Sequence, residues 1–255
     1  DKTKTSFTPA AIWIDDRCND ISAHGCCIIH REGTYYWYGE HRPNSGFITE
    51  EGVTCYSSKD LYNWKNEGVV LKVSEDENSP IVKGCIIERP KVIFNEKTNK
   101  FVMYFHLELK EQGYAAARYG LAVSDSPIGP FTYIKSSRVN AGHYPLNMSE
   151  EEKKSTVQLS DFDSWWTPEW MLAIEEGVHA RHDLEDGQMS RDMTLFVDDD
   201  NKAYHIYSAE ENLTLNIAEL SDDYLEHTGR YIRVAPGGHN EAPAIFKKNG
   251  RYFMI

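Results

Sequence analysis

A chain of 255 residues with 27 Lys and Arg against 40 Asp and Glu has a formal net charge of −13, which repels phosphate backbones and anionic lipid surfaces and argues against nucleic acid or membrane partners. Hydrophobic residues at 40% and charged residues at 26% exclude a disordered chain, and the length suits one large domain or two small ones. No apolar run approaches the roughly 20 residues of a membrane span.

The first residues, Asp1-Lys2-Thr3-Lys4-Thr5, form no charged-then-apolar leader, so a signal peptide is expected to be absent or already removed. A short apolar strand then runs through Ala23-His24-Gly25-Cys26-Cys27-Ile28-Ile29, turns at Glu32-Gly33 and returns as the aromatic strand Thr34-Tyr35-Tyr36-Trp37-Tyr38. The same grammar recurs from Glu88 to Phe94, with a turn at Thr98-Asn99-Lys100 and the strand Phe101-Val102-Met103-Tyr104. It recurs again from Arg191 to Val197, turning through Asp198-Asp199-Asp200-Asn201 into Ala203-Tyr204-His205-Ile206-Tyr207. A fourth copy runs from Glu241 to Phe246, turns at Asn249-Gly250 and ends on Arg251-Tyr252-Phe253-Met254-Ile255. β-Branched and aromatic runs closed by Gly, Asn and Asp turns predict hairpins.

A further strand running into a Ser/Asp-rich turn follows each of the first three copies, in the segments Val53–Leu61, Leu121–Pro127 and Asn216–Asp223. Two hairpins make the four strands of one propeller blade, and self-similarity at such periods marks a repeat architecture. The fold class expected is therefore all-β, a β-propeller of about four blades across residues 1–255. A tandem sandwich explains the recurring polar residues less well. The fourth repeat stops after its second strand, and the expectation is that the C-terminal part of the domain is missing. Residues from about 138 to 188 break the strand grammar with Glu150-Glu151-Glu152-Lys153-Lys154 and Trp165-Trp166-Thr167-Pro168-Glu169-Trp170, which predicts an inserted loop with short helical pieces.

Each repeat opens on a polar residue: His24, Glu88, Asp192 and Glu241. In a propeller the inner strands run the same way, so these positions are expected to meet at one mouth of the central channel. Carboxylates facing each other there repel, at least one pKa should rise, and a proton donor beside an ionised partner is what glycosidic bond cleavage needs. Strand ends and loops on that mouth add Glu40, His41, His106, Glu108, Tyr114, Glu210, Glu211 and Asn212, and Arg191 sits beside Asp192. The aromatic share, 12% of the chain, suits sugar stacking and a sheet core alike. Asp198-Asp199-Asp200 lacks the fuller spacing of a calcium loop and reads better as a tight turn.

The segment Glu241-Ala242-Pro243-Ala244-Ile245-Phe246 resembles the general-acid segment of glycoside hydrolase family 43, the five-bladed β-propeller glycosidases, and Asp192–Asp200 resembles that family's segment bearing the acid that tunes the donor. The resemblance covers essentially the whole chain. It implies an inverting hydrolysis with Glu241 as proton donor and Asp192 orienting it and raising its pKa. His24 stands where the family pattern has an Asp base; in that respect the chain is similar to the exo-β-1,3-galactanase-like subset, in which a second-blade glutamate, here Glu88, helps handle water or substrate. His24, Glu40, Tyr114, Arg191, Glu210 and Asn212 are then expected to bind substrate. The implied substrate is a terminal galactosyl unit of β-1,3-galactan or arabinogalactan-type glycans. A furanosidase or a non-catalytic sugar-binding propeller are the alternatives. No cofactor is required, no metal ligand set is compelled although calcium is possible, and a secreted or periplasmic location suits such a substrate.

Overall fold

The computed structural model describes residues 3–42 and 46–255. Strands β1 (His24–Arg31), β2 (Thr34–Glu40), β3 (Gly52–Ser58) and β4 (Lys65–Lys72) form one antiparallel sheet in chain order. A second four-stranded sheet takes β5 (Ile86–Asn95), β6 (Lys100–Glu108), β7 (Arg118–Ser124) and β8 (Thr132–Ser137), again in chain order. The third contains β9 (Met193–Val197), β10 (Ala203–Ala209), β11 (Thr214–Leu220) and β12 (His227–Val234), and β13 (Ile245–Lys248) pairs with β14 (Arg251–Met254) as a hairpin. The chain is thus built chiefly from four-stranded antiparallel meanders. Their hairpins close where the sequence puts its turn residues: Glu32 and Asn99 take positive φ of 49° and 56°, the left-handed geometry that such tight connections demand.

Between β8 and β9 lie three short helices, α1 (Glu150–Lys154), α2 (Pro168–Glu175) and α3 (Val178–His182). Ser149 and Glu152 form a reciprocal capping box on α1, whose acidic first turn and Lys153-Lys154 end both oppose the helix dipole. Thr167 caps α2 by accepting from the Trp170 amide, and Pro168 fills the position where an amide would have no partner anyway.

The chain divides into two compact units. Residues up to 115 with 120–135 make one; 116–119 with 136–255 make the other. The first unit is centred on Tyr38, Ile87, Met103, Phe105 and Leu107, all fully buried. Each such side chain contributes about 1.5–3 kcal/mol by leaving water. Two strands of this core, β1 and β5, carry bulges that face one another, between His24 and Cys27 and between Glu88 and Lys91. The Lys91 ammonium donates to the carbonyls of Gly25 and Cys26 at 2.5 and 3.0 Å, serving acceptors that the interrupted ladder leaves over. In the second unit Trp170, Ala173, Ile174 and Val178 pack with Leu213, fixing the helical insertion to the connection between β10 and β11.

The repeat heads do not all sit at the same point of their strands. His24 opens β1, Glu88 is the third residue of β5, Asp192 just precedes β9, and Glu241 lies four residues ahead of β13. Ala242, at φ 48°, and Pro243 interrupt the strand there, since a left-handed residue and a missing amide both break a ladder. The Asp198–Asp200 turn is a hairpin connection: Lys247 Nζ donates to Asp198 and Asp199 at 2.6 Å each, so a lysine bridges two of its carboxylates.

Candidate active site

In the first unit the site is organised around Glu88. Its Oε1 accepts from Arg42 Nη2 at 2.7 Å and from the Tyr114 hydroxyl at 2.9 Å, while Oε2 lies 3.1 Å from His106 Nδ1. His106 is its cross-strand partner on β6, and the imidazole's other nitrogen meets Glu108 Oε1 at 2.7 Å. The Nδ1 contact is a close ion pair rather than an aligned hydrogen bond. Burial alone would push the Glu88 carboxyl up; His106, Arg42 and Tyr114 overcome it and bring the pKa down to about 2 from its ordinary 4.5. Burial likewise opposes the imidazolium, but with a carboxylate at each nitrogen the His106 pKa is raised above 6.5. Glu88 is therefore ionised throughout the neutral range, and its side chain stays 13% exposed.

Glu40 is the second acid of this unit. Its Oε1 accepts the Arg89 amide at 2.7 Å and its Oε2 pairs with Arg42 Nε at 2.8 Å. Arg42 thus lies between two carboxylates. Burial pushes the Glu40 pKa up, with a smaller push from Glu88 and an opposing pull from the Arg89 amide and Arg42. At Glu88 the rise expected of the repeat-head acids is reversed; the carboxyl of this unit that rises is Glu40, because its burial outweighs the pull of the Arg89 amide and Arg42. Gly25 makes the approach possible: at φ 64°, a Cβ on it would come within 2.6 Å of Glu40 Oε1 and 3.0 Å of the Arg89 backbone. His24, opposite Glu40 in the β1–β2 register, is exposed. Tyr114 touches the Phe47 ring edge-on at 6.5 Å, and the Arg42 guanidinium lies 5.3 Å from that ring.

These ion pairs give unit one a pH signature. Glu88's folded pKa is depressed, so its contribution is full above about 4.5 and is lost as the pH falls through about 2; His106's is raised, so its contribution is full below 6.5 and is lost above its raised value. The melting temperature of wild type should exceed that of Glu88→Gln at pH 5–6, and the gap should close on acidification toward about 2. A gap independent of pH would contradict the ion-pair arrangement.

In the second unit Glu241 is exposed, and its Oε1 accepts from Asn212 Nδ2 at 2.9 Å. Asn212's carbonyl in turn accepts the Asn240 amide at 2.6 Å, and Ser208 Oγ donates to the Asn240 carbonyl. The segment bearing Glu241 is therefore clamped on both sides of Asn240. Asp192 half-buries its carboxylate and accepts the Ala242 amide at 2.9 Å. It holds the backbone immediately after Glu241.

One expectation is corrected here. Glu210, expected to bind substrate, is fully buried: Arg233 grips it through Nε at 2.6 Å and Nη2 at 2.8 Å, and Thr214 Oγ1 adds a third bond at 2.6 Å. Arg191 pairs with Glu211 at 2.8 Å. Asn212 spends its amide on Glu241 and so positions that carboxyl. Glu210, Glu211 and Asn212 all take left-handed φ, of 55°, 55° and 66°. Such a run costs of order 1–2 kcal/mol per residue, and the Arg233 grip on one end and the Glu241 bond on the other hold it. Sequence reasoning missed Arg42 and Arg233. Arg42 carried a signal, standing two residues past Glu40 at a strand end; Arg233 carried none, since one arginine on an exposed-looking final strand has no distinguishing spacing.

Residues 21–143 match the model of the glycosyl hydrolases family 43. Among curated proteins no sequence match is found. Among solved structures, a GH43 β-1,3-galactosidase with galactodeoxynojirimycin is 64% identical over 96% of this chain and 71% of its own, with a TM-score of 0.94. A second GH43 β-1,3-galactosidase is 38% identical over 98% of this chain, with a TM-score of 0.76. A variant exo-β-1,3-galactanase from Phanerochaete chrysosporium with β-1,3-galactotriose is 30% identical over 96%, with a TM-score of 0.71. This chain spans 43% and 45% of the length of the latter two. Identity at this level across nearly all of the sequence leaves one assignment: the chain belongs to glycoside hydrolase family 43, a family of glycosidases.

Proposed function

We propose that the protein is an exo-acting, inverting glycoside hydrolase that releases terminal galactose from β-1,3-galactan and arabinogalactan-type glycans. The observation that carries the reading is Glu88, a carboxylate held ionised by Arg42, Tyr114 and His106 yet still reachable from solvent. Such a group orients water or a sugar hydroxyl and takes up no proton at neutral pH. Glu241, exposed and aimed by Asn212, is the proton donor to the glycosidic oxygen. Asp192 keeps its place behind the donor through the Ala242 amide. Glu40 and His24, paired across β1 and β2, and Tyr114 bind the terminal sugar. Inversion follows when Glu241 protonates the departing oxygen while a water positioned by Glu88 attacks the opposite face of the anomeric carbon and releases its proton to solvent.

The likeness to β-1,3-galactosidases at 64% and 38% identity supports galactose over arabinofuranose. Residues 1–255 are read as successive blades of one five-bladed propeller domain, on the strength of the sheet repeat and these relatives. The scheme requires no cofactor and is compatible with a bound calcium ion. Glycans of this class lie outside the cytoplasm, which supports a secreted or periplasmic protein.

The test is to incubate the full-length protein with β-1,3-galactotriose and follow the first product by proton NMR. The expected result is galactose appearing as the α-anomer, with galactobiose left behind. Release of β-galactose, cleavage only of a furanoside control, or an intact trisaccharide would overturn the reading.

A further inference from the structure

The helical insertion presents two indoles to solvent beside the donor segment. Trp165 and Trp166 are each 57% exposed, an unusual state for the largest apolar side chain, and neither is loose. Trp165 stacks on the buried Trp170 with ring centres 5.5 Å apart and planes at 18°. Trp166 leans on the same Trp170 at 5.2 Å, and its ring meets His239, two residues before Glu241, edge-on at 6.0 Å.

Three further ties fix α2 relative to Glu241. Leu213, the neighbour of Asn212, packs into the α2 core with Trp170 and Ile174. Arg233, which grips Glu210, also donates to the Ile174 and Glu175 carbonyls at the C-terminal end of α2, at 2.6 and 3.0 Å. Gly237 lies so close to Met171 that a Cβ would come within 2.9 Å of its methyl carbon. The indole pair and the Glu241 carboxyl are thus carried by one packed body, and the backbone of Trp166 takes a left-handed φ of 66° where an unconstrained tryptophan would relax.

We infer that Trp166, with Trp165 beside it, is the platform on which the leaving-group sugar stacks, the residue on the far side of the scissile bond from the terminal galactose. A general acid delivers its proton to the oxygen that departs with the leaving group, so an aromatic face fixed to the donor's own segment lies on that side. Galactose has an apolar face of C–H groups, and flat, rigid rings bury it with little entropy loss. The occupant is therefore a galactosyl residue of the substrate chain. The inference rests on the galactosidase reading and specifies one part of the same site.

Two substrates separate the two ideas. β-1,3-Galactobiose places a sugar on the platform; β-galactosyl fluoride places none. Trp166→Ala should raise KM for galactobiose about 3- to 10-fold with kcat nearly unchanged, leave galactosyl fluoride kinetics within about 2-fold, and be restored largely by Trp166→Phe. Equal effects on both substrates, or none on either, would overturn the platform while leaving the enzyme reading intact; a wild-type protein that cleaves neither would overturn the enzyme reading itself. Should Trp166→Ala fail to fold, tryptophan fluorescence of Glu241→Gln titrated with galactobiose and with galactose decides: a change with the disaccharide alone supports the platform, and identical responses refute it.

Discussion

Glu241→Gln should lower kcat/KM on β-1,3-galactotriose by about 10²- to 10⁴-fold, the usual contribution of a positioned acid. The amide keeps the carbonyl oxygen that Asn212 Nδ2 now reaches at 2.9 Å, so the side chain should stay in place and galactose affinity should survive. The defect should depend on the leaving group. Fluoride departs with little help from a proton, so β-galactosyl fluoride should lose far less rate than the trisaccharide. A comparable loss on both would mean that residue 241 does something other than protonate. Retained turnover of the trisaccharide would move the donor elsewhere. The variant is also a control for the indole platform, because it removes chemistry without touching α2.

Arg233→Met should destabilise the second unit by about 3–5 kcal/mol, the cost of leaving a buried charge without its partner, and lower its melting midpoint by on the order of 10 °C. The loss has two sources. Glu210 is fully buried and would keep only the Thr214 hydroxyl. The last carbonyls of α2, at Ile174 and Glu175, would lose the donor that completes the helix end. Activity at low temperature should fall as well, since Asn212 sits at the end of the same strained loop and aims Glu241. Pairing the change with Glu210→Leu should recover much of the stability, as replacing both ions by apolar groups commonly does, while the aim of Asn212 should not recover. An unchanged melting curve for Arg233→Met would show that the ion pair does not hold this loop.

Strands were the most legible part of the sequence, for a local reason. Thr34–Tyr38 and Phe101–Tyr104 are dense in residues that fill a pleated surface, and Glu32-Gly33 and Asn99 supply turn geometry, so adjacent residues suffice to write β1 with β2 and β5 with β6. The heads of those strands were legible as positions but less so as roles. Glu88 was singled out by its repeat position, yet its ionisation depends on Arg42 and His106, 46 and 18 residues away, and no spacing rule joins them. Glu210 misled because a run of acids after a strand normally marks a solvated turn; only the approach of Arg233 from two strands later shows it to be interior. Asp192 was singled out by its repeat position, but its hold on the Ala242 amide is a detail of one atom group that composition cannot carry.

The left-handed run at 210–212 has a consequence for how this loop can vary. Most side chains disfavour such a backbone, β-branched ones most of all, whereas glycine and asparagine accept it readily. A saturation library at Glu211 should therefore enrich Gly and Asn among folded clones and exclude Val, Ile and Thr, even though the position faces water in part. Yet the clones favoured by the backbone forfeit the carboxylate that restrains Arg191. Selection for an easy backbone and selection for this ion pair would pull this single codon in opposite directions.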